Sequence, residues 1–137
     1  MDLDKPVWDE KLSMNHPVID QQHQEILHRV HNLPRRDDRN FNQAMQFFLR
    51  YTFDHFRDEE ALMTANNYPG TSNHQKAHRE IEATFDQHFN RYLKDDINYS
   101  DFKVFLNTWI SQHILKEDRK FAQFLAKRPR VKTDALP

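Results

Sequence analysis

The sequence predicts an all-α protein: an antiparallel up-down-up-down four-helix bundle with an N-terminal arm and a short C-terminal tail. One glycine and six prolines in 137 residues are too few turn residues for a β-sandwich or barrel. Apolar residues and histidines also recur every three or four positions in four separate stretches, as in helices that bury one face. Because short connections join these stretches, successive helices are expected to be antiparallel.

The first two helices are marked by their stripes and by the residues that end them. In the first helix, steps of four and three connect Ile19, His23, Ile26, Val30 and Leu33. We expect Asp20 to cap this helix and Pro34 to end it, with the charged segment 35–39 as the following loop. The second helix ends at the Asn-Asn-Tyr-Pro-Gly sequence of 66–70, and its stripe is Phe41, Phe48, Thr52, His55, Glu59 and Leu62.

The last two helices follow the same pattern. We expect Thr71 or Ser72 to cap the third, whose buried face carries His74, His78, Ile81, Phe85, His88 and Tyr92. The fourth begins near Ser100 and continues through Asp118 toward Leu125, with the stripe Phe102, Leu106, Trp109 and His113. The chain is therefore read as one domain over 1–137, divided into an arm (1–18), a bundle (19–125) and a tail (126–137) whose basic cluster is predicted to be solvated surface.

Charge and composition exclude several classes of function. A formal net charge of -1 offers no basic surface for a nucleic acid. The sequence shows neither a secretion signal nor an apolar run long enough to span a bilayer, so we expect a soluble cytoplasmic protein with no membrane partner. Because cysteine is absent, any metal must be held by nitrogen and oxygen atoms. The nine histidines are candidate nitrogen ligands.

The predicted topology brings potential metal ligands into one layer. In an up-down-up-down bundle, the starts of the first and third helices lie at the same end as the ends of the second and fourth. Spacings of four place His55 with Glu59, and His74 with His78, on common helix faces. The layer is expected to contain seven ligand-type side chains: His23, His55, Glu59, His74, His78, His113 and Asp118.

A pair of metal ions accounts for so many buried polar groups. Burying five imidazoles and two carboxylates costs several kcal/mol unless something compensates them. One zinc ion needs at most four ligands, so seven suggest two ions, with the carboxylates of Glu59 and Asp118 as bridges and the histidines as terminal ligands. This donor mixture suits iron or manganese, with zinc as a possible substitute. If the histidines divide three and two, the second ion keeps a free position at which O2 can bind.

One spacing departs from an ordinary helix. His113 and Asp118 are five positions apart, about 140° around an ideal α-helix. Either Asp118 reaches around the helix or the helix bulges. A local π-turn is the simpler solution, and such bulges are frequent at functional sites.

Four ordered motifs make the chain similar to the hemerythrin family over residues 8 to about 121. They are Ile-Asp-Gln-Gln-His at 19–23, His-Phe-Arg-Asp-Glu-Glu-Ala-Leu-Met at 55–63, His-x-x-x-His at 74–78, and His-Ile-x-x-x-Asp at 113–118. The resemblance implies two iron ions, cycling between Fe2+ and Fe3+, with an oxo or hydroxo bridge. It implies that His74, His78 and His113 hold a closed iron, that His23 and His55 hold the iron that binds O2 reversibly, and that Glu59 and Asp118 bridge.

Reversible binding also needs a dry pocket, because water or protons reaching the bound O2 would leave an inactive ferric centre. The candidate walls of this O2 pocket flank His23 and His113 in the sequence: Ile26, Leu27, Trp109, Ile110 and Ile114.

Three functions are compatible with such a centre. The first is a stand-alone protein that is not an enzyme and that stores, delivers or scavenges O2. The second is a di-iron oxidase, a peroxidase or a nitric-oxide-consuming enzyme, and the third is an O2 or redox sensor. Ferritin-like di-iron enzymes use mostly carboxylate ligands, so five neutral imidazoles favour reversible binding.

Overall fold

A computed structural model describes Trp8 and residues 10–128, and within them it contains four helical rods and no strand. The first three rods are α1 (Pro17–His31), α2 (Asn40–Ala65) and α3 (Thr71–Leu93). The fourth consists of α4 (Tyr99–Thr108), a π-helical segment (Trp109–Asp118) and α5 (Arg119–Ala126), and a short 3-10 turn at Glu10–Leu12 precedes the bundle. The all-α four-helix bundle is confirmed.

The start of α1 differs from the prediction. The helix begins at Pro17, and the ring nitrogen Nδ1 of His16 accepts the backbone N–H of Ile19 at 3.3 Å, so His16 is the capping residue. Proline suits the first position of a helix because its missing N–H would have no helical partner there. The expected cap, Asp20, lies inside the first turn, where its carboxylate accepts the Met14 N–H at 2.8 Å and ties down the arm.

The starts of the third and fourth rods are also set by their local residues. α3 begins at Thr71 after Gly70 without a side-chain cap, so the predicted cap by Thr71 or Ser72 is wrong. The Thr71 hydroxyl instead donates to the Tyr68 carbonyl oxygen at 2.7 Å and stabilises the preceding turn. At α4 the side chain of Asn98 accepts the Asp101 N–H at 3.0 Å, which explains why this helix begins at Tyr99.

Two apolar clusters form the core, and the predicted ligand layer lies between them. The larger cluster includes Phe48, Phe56, Phe102, Leu106 and Ile114, and the smaller includes Ile19, Leu62, Met63, Phe121 and Leu125. On α1, α2 and the fourth rod, the ligand-type residues fall between the residues of these clusters. The polar layer is thus closed off by apolar side chains from both ends of the bundle.

The described part of the tail is not simply solvated. The Arg128 guanidinium donates to the carbonyl oxygen of Asn66 at 2.6 Å and lies 5.3 Å from the ring centroid of Phe124. Lys127 is exposed, as predicted, while Arg130 and Lys132 lie outside the described residues. No helix in the described ranges is long and apolar enough to cross a membrane.

Candidate metal centre

All seven side chains singled out by the sequence meet in one buried layer. None is more than 4 % exposed. Their potential ligand atoms form two overlapping groups, each with its atoms within 4.8 Å of one another. Glu59, His74, His78, His113 and Asp118 make up one group, and His23, His55, Glu59 and Asp118 make up the other. Only the two carboxylates belong to both.

The helices position these side chains through residues one turn apart. On α2, the Nε2 atom of His55 lies 3.4 Å from Oε2 of Glu59, because a spacing of four keeps both on one face. On α3, the same spacing puts the ring centroids of His74 and His78 4.7 Å apart. The short α1 adds His23, whose Nε2 lies 3.1 Å from Nε2 of His55.

The π-helical segment solves the spacing problem of the fourth rod. Hydrogen bonds in a π-helix run from residue i to i+5, so residues five apart face the same side on successive turns. His113 Nε2 and Asp118 Oδ1 are accordingly 3.2 Å apart. The predicted bulge is confirmed, but it extends over ten residues, Trp109–Asp118, instead of one local turn.

Each carboxylate directs one oxygen toward each group of histidines. Oε1 of Glu59 lies 3.0 Å from His74 Nε2 and 3.1 Å from His78 Nε2, while its Oε2 lies 3.2 Å from His23 Nε2. Asp118 does the same, with Oδ1 2.7 Å from His74 Nε2 and Oδ2 3.1 Å from His23 Nε2. Two carboxylates placed in this way are arranged to bridge two cations.

The layer contains buried polar atoms that the protein itself does not satisfy. Glu59 Oε2 and Asp118 Oδ2 lie 3.2 and 3.1 Å from His23 Nε2, and His113 Nε2 lies 3.2 Å from Asp118 Oδ1, yet none of the three atoms has a partner in hydrogen-bond geometry among the described residues. Leaving such an atom buried and unpaired costs about 1–3 kcal/mol. Converging donor atoms, some of them left unpaired by the protein, fit a pair of metal ions, and the nitrogen and oxygen set suits iron or manganese.

The ionisation of the metal-free layer points the same way. Burial opposes the charged form of His23, yet its contacts with Asp118 and Glu59 outweigh burial and raise its pKa to about 10. The pKa of His74 is also raised to about 10 against the effect of burial, by the same two carboxylates. Burial opposes ionisation of Glu59 as well, but four histidines hold its pKa well below the usual value. The carboxylates stay ionised and attract positive charge, which either protons or metal ions can supply.

The outer nitrogen of one histidine in each group has a fixed partner. His78 Nδ1 donates to a carboxylate oxygen of Glu60 at 2.6 Å, and Arg79 donates to the same oxygen. In the other group, His55 Nδ1 donates to Oε1 of Gln22 at 2.8 Å. A neutral imidazole with its proton on Nδ1 presents an unprotonated Nε2, which is the form that binds a metal.

Sequence reasoning missed these partners, although a signal for them was present. Gln22 and Glu60 each stand next to a predicted ligand inside the motifs, and Asp58, which accepts from the Gln22 amide at 2.9 Å, is another neighbour. Two aromatic contacts were also missed. The ring of Phe56 stacks on His78 with a centroid distance of 3.8 Å and an interplanar angle of 4°, and Tyr51 stacks on His55 at 4.8 Å.

The residues predicted to line an O2 pocket are all buried in the larger apolar cluster: Ile26, Leu27, Trp109, Ile110 and Ile114. Tyr51 and Phe56 belong to the same cluster. The indole of Trp109 lies 5.8 Å from the ring of Phe56, which in turn contacts His113 at 5.9 Å between centroids. These residues place an apolar environment beside the layer, and their contact with O2 stays a prediction.

Comparison with known proteins agrees with the geometry. The family model described as the hemerythrin HHE cation binding domain matches residues 15–125. Hemerythrin subunit 1 of Golfingia vulgaris is 29% identical over 118 residues, covering 86% of this chain and 91% of the relative. Myohemerythrin of Sipunculus nudus is also 29% identical over 118 residues, covering 86% and 92%.

A bacterial relative shows the same relationship at lower identity. Bacteriohemerythrin of Stenotrophomonas maltophilia is 25% identical over 120 residues, covering 85% of this chain and 78% of the relative. No solved structure matches the chain at a significant level. The family match extends over the four helical rods and all seven residues of the buried layer, and the chain therefore belongs to the hemerythrin family.

Proposed function

We propose that this protein binds O2 reversibly at a non-haem di-iron centre held by the seven residues of the buried layer. One observation carries the proposal: both bridging carboxylates direct one oxygen to each of two groups of histidines. Family membership supports it, since hemerythrins are non-haem iron proteins that bind O2. When bound, the two ferrous ions supply the electrons for O2 binding and recover them on release.

The two groups differ in their number of donors, and this difference assigns their roles. His74, His78 and His113 with one oxygen from each carboxylate offer five donors to one ion. His23 and His55 with the other two oxygens offer four. His74, His78 and His113 would therefore hold one ion with more protein ligands, and His23 and His55 would hold the other with fewer, which leaves the second ion the more open to O2. We therefore assign O2 binding to the side of His23 and His55.

The protein's own contribution is to keep this side dry and the imidazole of His55 neutral. Ile26 and Leu27 follow His23 on α1 and are at most 1 % exposed. Burial lowers the pKa of His55, and contact with Glu59 offsets this only in part, so the imidazole stays neutral. Excluding water in this way protects bound O2 from protons that would release it as peroxide.

A second function, oxidation of a substrate, is favoured by one residue. Tyr51 is buried, its ring stacks on His55, and its hydroxyl has no hydrogen-bond partner among the described residues. Burial raises the pKa of Tyr51 well above 10, so the phenol keeps its proton. If a di-iron centre is held there, a phenol in this position would supply an electron and a proton to it, as a di-iron oxidase or peroxidase requires.

The two functions are separated by cycling the protein between O2 and argon. The anaerobically reduced protein should be colourless, should gain a visible charge-transfer band in O2, and should lose it under argon over repeated cycles. The Tyr51→Phe variant should cycle like the parent protein. Loss of reversibility after one cycle in the parent, with longer cycling in Tyr51→Phe, would instead support the oxidase.

A further inference from the structure

A groove on the surface of the bundle lies outside the His23 and His55 side to which O2 binding is assigned. It runs between α3 and the fourth rod and encloses about 710 Å³. Its walls include Ile81 and Thr84 from α3 and Val104 from α4, and its floor reaches Trp109 and His113 of the π-helical segment. Volumes of this size are typical of small-molecule sites. We refer to it as the α3–α4 groove.

Aromatic rings follow one another along this groove. The rings of His88 and Phe105 stack with a centroid distance of 5.3 Å and an interplanar angle of 29°. The rings of Phe105 and Trp109 come next, with a centroid distance of 6.2 Å and an interplanar angle of 35°. All three rings line the groove. Rows of this kind favour flat ligands, through stacking, and cations, through the negative faces of the rings.

The charged residues that line the groove are acidic. Glu80 from α3, Asp101 from α4 and Glu117 from the π-helical segment line it, and no lysine or arginine is found among the lining residues that the structure describes. Burial lowers the pKa of His88, so this imidazole is neutral at pH 7. Glu117 is partly compensated by Lys120 at 3.3 Å, while the other two carboxylates keep the groove negative. This arrangement attracts cations and disfavours phosphates and carboxylates.

We propose that the α3–α4 groove is a binding site for a small, planar, cationic organic molecule, which packs against the partly exposed rings of His88 and Phe105 and is held by Glu80 and Asp101. The ligand lies beside His113, on the face of the bundle away from His23 and His55. Binding does not require iron or O2, so the proposal stands apart from the proposed function.

Probes that share one ring system and differ in charge test this directly. Isothermal titration of the full chain at low salt compares 10-methylacridinium, acridine at pH 8 and acridine-9-carboxylate. Exposed charge pairs contribute a factor of up to about five each, so the cation should bind at least about tenfold more tightly than the anion. The stoichiometry should be one per chain. Absence of binding, or equal affinity for cation and anion, would overturn the proposal.

Variants then locate the site. Thr84→Tyr fills the groove and should weaken 10-methylacridinium binding more than about tenfold, whereas Gln46→Tyr, in a surface groove of α2 of about 700 Å³, should leave it unchanged. Glu80→Gln with Asp101→Asn changes only exposed side chains, so the fold is retained. This double substitution should weaken binding of the cation about fivefold and leave binding of neutral acridine unchanged. Unchanged cation binding in the charge variant would refute the assigned site.

Discussion

Replacing Glu60 by glutamine tests whether the outer partner of a ligand histidine controls metal affinity. The Glu60 carboxylate accepts a hydrogen bond from His78 Nδ1 at 2.6 Å and also forms an ion pair with Arg79. A carboxylate in this position makes the imidazole a stronger ligand and fixes its orientation. The Glu60→Gln variant keeps the shape of the side chain and its acceptor oxygen but removes the charge.

The expected loss follows from the kind of hydrogen bond. A hydrogen bond to a charged group contributes about 1.5–3 kcal/mol and a neutral one about 0.5–1.5 kcal/mol, so the change costs about 1–1.5 kcal/mol. Since 1.4 kcal/mol corresponds to a factor of ten in affinity, the ion held by His78 should bind about five to ten times more weakly. The half-exposed ion pair with Arg79 adds little to this figure because solvent screens it.

The assay is anaerobic competition for Fe2+ between the protein and a coloured chelator, read as the chelator concentration that removes half of the iron. Glu82→Gln is a matched control, because Glu82 also pairs with Arg79, at 3.0 Å, and lies outside the donor layer. We expect weaker iron binding in Glu60→Gln and unchanged binding in Glu82→Gln. Equal affinities for parent, variant and control would refute the role given to Glu60.

Three further predictions follow from the same geometry. Replacing His55 by alanine should abolish the O2-dependent visible band while circular dichroism shows most of the helix retained; normal O2 binding would rule out His55 as a ligand. Phe56→Ala, at a site with no exposure, should lower the free energy of unfolding in urea by about 3–5 kcal/mol, whereas Phe53→Ala, 44% exposed, should cost less than about 1 kcal/mol; similar losses would contradict the packing. In the metal-free protein, the pKa values of His23 and His74 are raised from 6.5 to about 10, so their stabilising contribution is complete below pH 6.5 and is lost as the pH rises toward 10. Urea unfolding should show this loss in the metal-free protein and not in the iron-loaded protein, and a flat profile for the metal-free protein would contradict it.

The ligand layer could be predicted from the sequence because helix periodicity and topology are enough to define it. Spacings of four fix which side chains share a face, and an antiparallel order fixes which helix ends meet. The spacing of five between His113 and Asp118 favoured a bulge over a long reach by Asp118, and the π-helical segment supplies the bulge. Its length of ten residues could not be predicted, because it depends on how α3 and the fourth rod pack.

Other features depend on contacts that the sequence does not encode locally. Histidine is an uncommon helix cap, so the role of His16 followed only from the orientation of its Nδ1. The partners Gln22 and Glu60 depend on the tilt of each imidazole within the layer, which is set by tertiary packing. The α3–α4 groove likewise exists because the π-helical segment and α3 leave space between them.

The most direct test of the account is the metal content of the full chain purified without added metal, paired with its visible spectrum in air. Seven ligand-type residues in two groups that share only Glu59 and Asp118 predict two iron ions per chain and a charge-transfer band between an oxygen ligand and iron. The band should be lost under argon after anaerobic reduction and regained in O2. One ion per chain, or two ions of a metal without an O2-dependent band, would contradict the central claim.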